Sequence, residues 1–416
     1  MTKKTTSDKD KAKAKTKQKV AKKVKKEVKK EIKRNKPLRV TLIVLAVLII
    51  ATIVWLYVFK PDFISNIIAM LKGNSGGGGS GGANGAVGTT PIDGPKLEIT
   101  VVNVGQGDGI FINFPDGKTM VMDMGTAGGV DNAYGNMQQA LAKANVTKLN
   151  YVFVTHTDSD HISSMAKLIG DYEVESFHFP KAADDTTATW NKVVKAAREE
   201  TYTDENGNTA KAKINLNVGC FEIKGDGWDM QCHSFAEEDY PDVKKGSDAY
   251  TKNKVSPICV LTYGGRQIVL TGDSNEKNEP YILQKGCLDN VDADVLKVAH
   301  HGSGTSTTQA FLDKIDPEYA IISVGAGNKH GHPEAGLMER LNNYTDVKPD
   351  KDYDKISQIY RTDEDGDVIV QVSSTGVLNV ISSNNADRNK TQTAIVLVVH
   401  HERVVLFAIT KEQYEE

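Results

Sequence analysis

Residues 149–161, LNYVFVTHTDSDH, decide how this chain is read. The run YVFV is short, apolar and rich in β-branched and aromatic residues, which predicts a buried strand. It empties into a loop that carries His156, Asp158, Asp160 and His161 within six residues. Loops held at the ends of a rigid sheet are where function collects. A solvated turn is often rich in Asp and Ser, but seldom has His at both ends. Imidazole and carboxylate are the side chains that divalent metals take, so this loop is read as a metal-binding loop.

Moving outward, the same arrangement recurs. QIVL (267–270) is followed by Thr271-Gly272-Asp273, VLKV (295–298) by His300-His301-Gly302-Ser303, and AIISVG (320–325) by Asn328-Lys329-His330-Gly331-His332. An Asp after a strand is ordinary turn chemistry, so Asp273 gains meaning only in company. Six of the ten histidines fall in these loops, and His178, His233, His400 and His401 are read as structural or surface residues. Upstream, LEITVVNV (97–104), IFINF (110–114) and TMVMD (119–123) read as strands separated by the turns GQGDG and PDGK. Helical segments are expected at 136–144, 163–169, 187–199, 276–286, 306–315 and 334–342, alternating with the later strands. Meander first and alternation later predict an α/β (α+β) sandwich with mixed sheets. The stretch 359–382 is expected to form a hairpin pair.

The ends of the chain differ in character. Residues 1–39 hold 18 Lys/Arg against 4 Asp/Glu, leaving 33 against 50 for the remainder. Such asymmetry marks separate surroundings for the two parts. The segment 1–39 is expected to be a disordered basic tail. Val40 to Phe59 is free of charge and long enough to cross a bilayer, with Trp55 and Tyr57 near its far end. A cleaved signal peptide is the competing reading, but the apolar run is too long and no small-residue cleavage site follows. The basic tail then stays cytoplasmic, and everything after Phe59 is expected outside. Residues 60–95 read as a juxtamembrane segment and Gly-rich tether, 96–385 as one catalytic domain, and 386–416 as an extension containing an edge hairpin.

The phrases NVGQGDG (103–109), MDMG (122–125), THTDSDH (155–161), LTGD (270–273), KVAHHGSGTST (297–307) and GHPEA (331–335) together resemble the metallo-β-lactamase superfamily. Within it they are most similar to the domain attached to the DNA-uptake channel protein ComEC and to its stand-alone relatives. The resemblance runs from Lys96 to about Ser382. It implies the four-layer αβ/βα sandwich and two divalent ions, zinc or manganese, with magnesium as an alternative. It implies that His156 and Asp158 hold a first metal, that Asp160 and His161 hold a second joined by His300 or His301, and that Asp273 bridges. His300 is taken as the ligand, with Asp160, His301 and His332 as the catalytic residues. Asp123 would orient the loop, and Asp108, Asn253, Ser256, Ser303 and Asn328 would lie behind the ligands or face the substrate. Asp158 stands where the superfamily has a second His, and Asn253 and Ser256 stand where it usually offers a third. The first site is thus expected to be rich in oxygen, which favours harder cations.

Such a site activates water for hydrolysis, and phosphodiester cleavage is the leading reading, with nucleic acid as one such substrate. Hydrolysis of a small ester or β-lactam is the runner-up, and a non-catalytic surface-binding module the third. Against a polyanion stands the acidic balance of residues 40–416, since phosphate contacts dominate nucleic-acid affinity. Lys244, Lys245, Lys252, Lys254 and Lys297 are the lysines expected to compensate. Four cysteines without a CxxC pair argue against a thiolate metal site. With a turn centred on Asp226, Cys220 would face Cys232 across a hairpin, and Cys259 would be a buried free thiol.

Overall fold

The computed structural model describes residues 91–407 except 127–131, 182–186, 240–246, 345–355, 357, 385–389, 393–395 and 401–402. The basic tail, the apolar run 40–59, the tether as far as residue 90, and Lys244 and Lys245 therefore lie outside the described residues. Among the described residues no helix is long and apolar enough to cross a membrane.

The strands are β1 (Lys96–Val101), β2 (Gly109–Asn113), β3 (Thr119–Met124), β4 (Lys148–Phe153), β5 (Glu173–Pro180), β6 (Thr201–Thr203), β7 (Thr209–Lys211), β8 (Lys213–Asn217), β9 (Cys220–Lys224), β10 (Trp228–His233), β11 (Ile258–Tyr263) and β12 (Arg266–Leu270). After them come β13 (Val295–Lys297), β14 (Tyr319–Ile322), β15 (Gln358–Arg361), β16 (Val368–Ser373), β17 (Leu378–Ser382), β18 (Lys390–Gln392), β19 (Val396–His400) and β20 (Arg403–Phe407). The helices are α1 (Ala133–Lys143), α2 (Ser159–Ile162), α3 (Met165–Asp171), α4 (Ala188–Glu199), α5 (Ala249–Asn253), α6 (Asn278–Gln284), α7 (Gln309–Ile315), α8 (Ala335–Asn342) and α9 (Thr362–Asp365).

Two large sheets result, one ordered β18-β17-β16-β1-β2-β3-β4-β5-β8 and the other β15-β14-β13-β12-β11-β10-β9. Both are mixed. The pairs β1–β2 and β2–β3 are antiparallel, whereas β3–β4, β4–β5 and β5–β8 are parallel. In the second sheet β9 to β12 form a meander and β12 to β15 run parallel.

The period of two along each strand explains the layering, because both faces are apolar. On β3, Met120 and Met122 enter the core between the sheets while Val121 joins the core beneath α1, α3 and α4. On β11, Cys259 and Leu261 face the inter-sheet core, and Ile258 and Val260 face α6, α7 and α8. The helices answer with helical spacing: α1 buries Ala133, Met137, Ala140 and Leu141. The order of layers is helix, sheet, sheet, helix.

Several expectations change. Residues 359–382 are not one hairpin pair: β15 joins the second sheet beside β14, and only β16 and β17 pair as a hairpin, in the first. The first sheet also continues past 385, since β18 adds to β17, and β19 and β20 pair with each other. The β9–β10 register is one residue away from expectation. Gly225 N–H donates to the Trp228 carbonyl and Lys224 faces Asp229, so Cys220 faces His233 and Cys232 faces Phe221. A slip of one residue turns every side chain to the other face. The β10–β11 pairing sets Cys232 in the core opposite Cys259, with Cα atoms 4.0 Å apart, and the two form a disulfide. Cys259 is buried, but it is not a free thiol.

Candidate metal centre

The clustered polar residues lie at or beyond the C-terminal ends of strands. His156, Asp158, Asp160 and His161 follow β4, Asp273 follows β12, and His300 and His301 follow β13. His332 lies in the loop after β14, and Asp123 near the end of β3. The parallel pairs β3–β4 and β12–β13–β14 bring these ends together, which is where open α/β sheets place their ligands.

The centre divides about Asp273, whose side chain is almost wholly buried. Its Oδ1 lies 3.1 Å from His161 Nε2 and 3.6 Å from His301 Nε2, and His301 Nε2 is 3.4 Å from Asp160 Oδ2. Asp160, His161, Asp273 and His301 each place one ligand atom within 4.8 Å of the others. Its Oδ2 faces the other way, 3.8 Å from His156 Nε2 and 3.6 Å from His300 Nε2, and Asp158 Oδ2 is 3.8 Å from His156 Nε2. The structure thus puts His301 in the cluster with Asp160 and His161, and His300 on the opposite oxygen.

Each inward imidazole is steered by its other nitrogen. His161 Nδ1 contacts Asp123 Oδ2 at 2.8 Å, His301 Nδ1 lies 3.0 Å from the Ser323 carbonyl, and His156 Nδ1 is 3.2 Å from Ser256 Oγ and 3.1 Å from Thr155 Oγ1. This arrangement of outer partners sets tautomer and ring orientation in metal sites. The Nε2 atoms of His156, His161 and His301 and the Asp273 Oδ1 are buried without a hydrogen-bond partner. Buried polar atoms left unsatisfied cost about 1–3 kcal/mol each, so His161 Nε2, His301 Nε2 and Asp273 Oδ1 converging on one spot, with His156 Nε2 on the other side of Asp273, fit divalent cations there.

The backbone is shaped to the same end. His300 (φ 51°) and His301 (φ 53°) both adopt the left-handed conformation, as does Asp123 (φ 59°). For non-glycine residues this costs energy and gathers at functional sites. Gly125 is required by close approach, because a Cβ there would overlap the backbone of Asp160 and His161. The glycine of MDMG therefore lets the metal loop pack against β3.

The electrostatics follow from crowding acids in a dry place. Burial works against the charged form of His161 and His301. Asp273 and Asp123 nevertheless raise His161 well above the ordinary imidazole range, and Asp273 with Asp108 and Asp160 lifts His301 to about 10. Burial would likewise raise Asp160 and Asp273, yet the neighbouring histidines hold both below the usual carboxylate range. Protons here occupy the field that a cation would take up, and must leave for the imidazoles to ligate. His156 is different: burial and then the charge of His161 push it down to about 4, leaving a neutral ring.

Asp108 sits behind the cluster, 2.9 Å from Lys297 Nζ and 3.4 Å from His301 Nδ1. Lys297 is buried in this ion pair and so cannot serve a surface basic strip, contrary to expectation. Asn253 places its amide 3.4 Å from the His300 ring. Asn328 organises its own loop, its Oδ1 accepting from the His330 and His332 N–H groups and its amide donating to the His332 carbonyl. Ser303 donates to Glu334 Oε1 at 3.3 Å.

The centre opens into a cleft of about 650 Å³ lined by Asp158, Asp160, Asp273, His300 and His332, and by Lys252, Lys329 and His330. Lys252 reaches Asp158 Oδ1 at 3.5 Å. Burial and then His300 push His332 down to about 4, so at neutral pH it meets an anion as a neutral hydrogen-bonding group. Thr187 and Thr189, at the start of α4, also line the cleft. Sequence reading missed them, and nothing beyond a capping threonine before a helix marks them.

The metallo-β-lactamase superfamily model matches residues 102–326, more than half of the chain. ComE operon protein 3 of Bacillus subtilis is 27% identical over 284 residues, covering 65% of this chain and 32% of that protein. Recombination protein 2 of Haemophilus influenzae is 26% identical, covering 60% of this chain and 27% of its own length. The chain thus spans about a third or less of these relatives. Among solved structures, the metallo-β-lactamase fold protein YhfI of Bacillus subtilis is similar over 67% of this chain and 99% of its own, at 11% identity and a TM-score of 0.40. With the matched region spanning both sheets and every loop of the centre up to Ala326, the chain belongs to the metallo-β-lactamase superfamily.

Proposed function

We propose that this chain is a metal-dependent phosphodiester hydrolase, anchored by the apolar run Val40–Phe59 with its catalytic domain outside the cytoplasm. The observation that carries the hydrolytic reading is the division of Asp273. One oxygen serves Asp160, His161 and His301, and the other serves His156, Asp158 and His300. Each half would hold one cation with two imidazoles and two carboxylates, counting Asp273 in both. His300 thereby offsets the nitrogen deficit inferred for the first site, and zinc and manganese both suit such a mixed donor set. When bound, two divalent ions acidify water and polarise a phosphoryl oxygen.

The protein's own groups do the rest. Asp123 and the Ser323 carbonyl keep the imidazoles aimed inward. Lys252 and Lys329 give the cleft wall cations for a phosphate, and neutral His332 offers a hydrogen bond at its edge. Relatives named for competence and recombination support a nucleic-acid substrate.

The test uses the full-length chain in detergent, stripped of metal and then supplied with zinc, manganese or magnesium. Bis-p-nitrophenyl phosphate, single-stranded DNA and nitrocefin are offered in parallel. Metal-dependent diester cleavage is expected, falling by roughly 10²-fold or more in Asp273→Ala, a loss of transition-state stabilisation of about 2.7 kcal/mol or more. Nitrocefin turnover without diester cleavage would transfer the site to amide hydrolysis. Activity that survives both chelation and Asp273→Ala would refute the di-metal reading.

A further inference from the structure

A second group of metal-ligating side chains lies away from the acidic centre, at the free edge of the second sheet. Cys220 opens the edge strand β9, His233 closes its neighbour β10, and Cys287 follows α6. The one-residue register of the hairpin sets Cys220 directly opposite His233. The Cys220 and Cys287 sulfurs are 3.8 Å apart, and His233 Nδ1 is 3.4 Å from the Cys220 sulfur. All three ligand atoms lie within 4.8 Å of one another.

These spacings have a chemical meaning. Zinc binds thiolate at about 2.3 Å and imidazole at about 2.0–2.1 Å in a tetrahedron, which requires sulfurs about 3.8 Å apart and sulfur and nitrogen about 3.6 Å apart. The Cys220–Cys287 and Cys220–His233 pairs already sit at or near those separations, and the His233–Cys287 pair lies within 4.8 Å. We propose that Cys220, His233 and Cys287 form a soft-metal site for an ion of the zinc(II) class. Cys220 is exposed, so the proposed site borders solvent, from which water or an external ligand could supply a fourth donor.

The ligands come from two strands and a post-helix turn, and the cysteines are 67 positions apart, so no CxxC spacing would mark the site. Binding would displace two thiol protons to solvent and form two metal–sulfur bonds. It would also clamp β9, whose outer edge has no strand partner among the described residues, to the end of α6. The donor set is softer than that of the carboxylate-rich centre, so the two sites would take different ions from a mixture.

Cobalt(II) distinguishes the sites, because only a sulfur-ligated cobalt gives an intense thiolate charge-transfer absorption in the near ultraviolet. The acidic centre contains no sulfur, and Cys232 and Cys259 are buried and bonded to each other. Titration of the mildly reduced full-length chain in detergent should give this band, with a final intensity of one sulfur-ligated cobalt per chain, bleached by zinc. Cys220→Ser and Cys287→Ser should abolish it, while Asp273→Ala should keep it even with the hydrolytic centre disabled. In the unmutated chain, zinc should slow alkylation of Cys220 and Cys287 at least tenfold. Absence of the band in the reduced chain, persistence of it in Cys220→Ser, or equal alkylation with and without zinc would overturn the site. Recovery of a Cys220–Cys287 disulfide from zinc-replete protein would overturn it in favour of a redox pair.

Discussion

Asp123→Asn isolates what the outer partners contribute to the metal centre. The substitution keeps size and shape, and Asn tolerates the left-handed backbone (φ 59°) that Ala or Leu would strain. Asp123 accepts on both oxygens: Oδ1 takes the Thr155 N–H at 2.8 Å, and Oδ2 takes the Thr155 hydroxyl at 2.6 Å and meets His161 Nδ1 at 2.8 Å. An amide can satisfy only one side. With its NH2 toward His161, that ring must accept at Nδ1, so its proton moves to Nε2 and blocks ligation. With its NH2 toward Thr155, two N–H donors collide in a buried space, at about 1–3 kcal/mol. Disturbing such outer partners lowers metal affinity roughly 10–100-fold, or about 1.4–2.7 kcal/mol. The loss should fall on the half built by Asp160, His161 and His301. Competition titration with a chelator of known affinity, alongside unfolding of the metal-free variant, separates the two effects. Unchanged metal affinity with unchanged stability would refute the claim that Asp123 sets the His161 tautomer.

Three further outcomes are expected. His301→Ala and His300→Ala should each cost one equivalent of bound metal relative to the unmutated chain, since they serve opposite oxygens of Asp273. Elemental analysis reads this directly, and full occupancy in both variants would sink the division. His178, buried beside the rings of Phe153 and Phe221, is pushed down to about 4 by burial. Between pH 6.5 and about 4 only the unfolded chain binds that proton, so stability falls with falling pH across this window by up to about 3 kcal/mol, and above it the group contributes nothing. Denaturant titrations should show a shallower acid limb in His178→Phe, and parallel limbs would refute the assignment. Protease added to intact cells should cut near Gly76 to Gly82 and release the catalytic domain, whereas digestion of the basic tail instead would reverse the proposed topology.

How far the sequence could be read depended on the kind of signal involved. The strands ending at Phe153, Leu270 and Lys297 were legible because they are buried on both faces and stop abruptly at polar loops. That contrast is local. β5 and β8 were missed because Glu173, Glu175, Lys213 and Asn215 interrupt their apolar residues, and parallel pairing, which is not local, makes them strands. The division of 358–382 between two sheets was illegible for the same reason, since a short helix at Thr362–Asp365 is all that separates β15 from β16.

Adjacent polar residues were the hardest to place. His300 and His301 are chemically identical in sequence, and two successive left-handed residues turn them to opposite sides of one carboxylate. Lys297 looks like a surface cation until Asp108, nearly 190 residues earlier in the chain, is found 2.9 Å away. The hairpin register turned on a single residue, yet it took Cys220 away from Cys232 and set it opposite His233, while pairing with β11 set Cys232 opposite Cys259. Residue type and strand-end position therefore located the chemistry, because they depend on local burial. Pairing across the fold decided which oxygen, which sulfur and which charge each group meets.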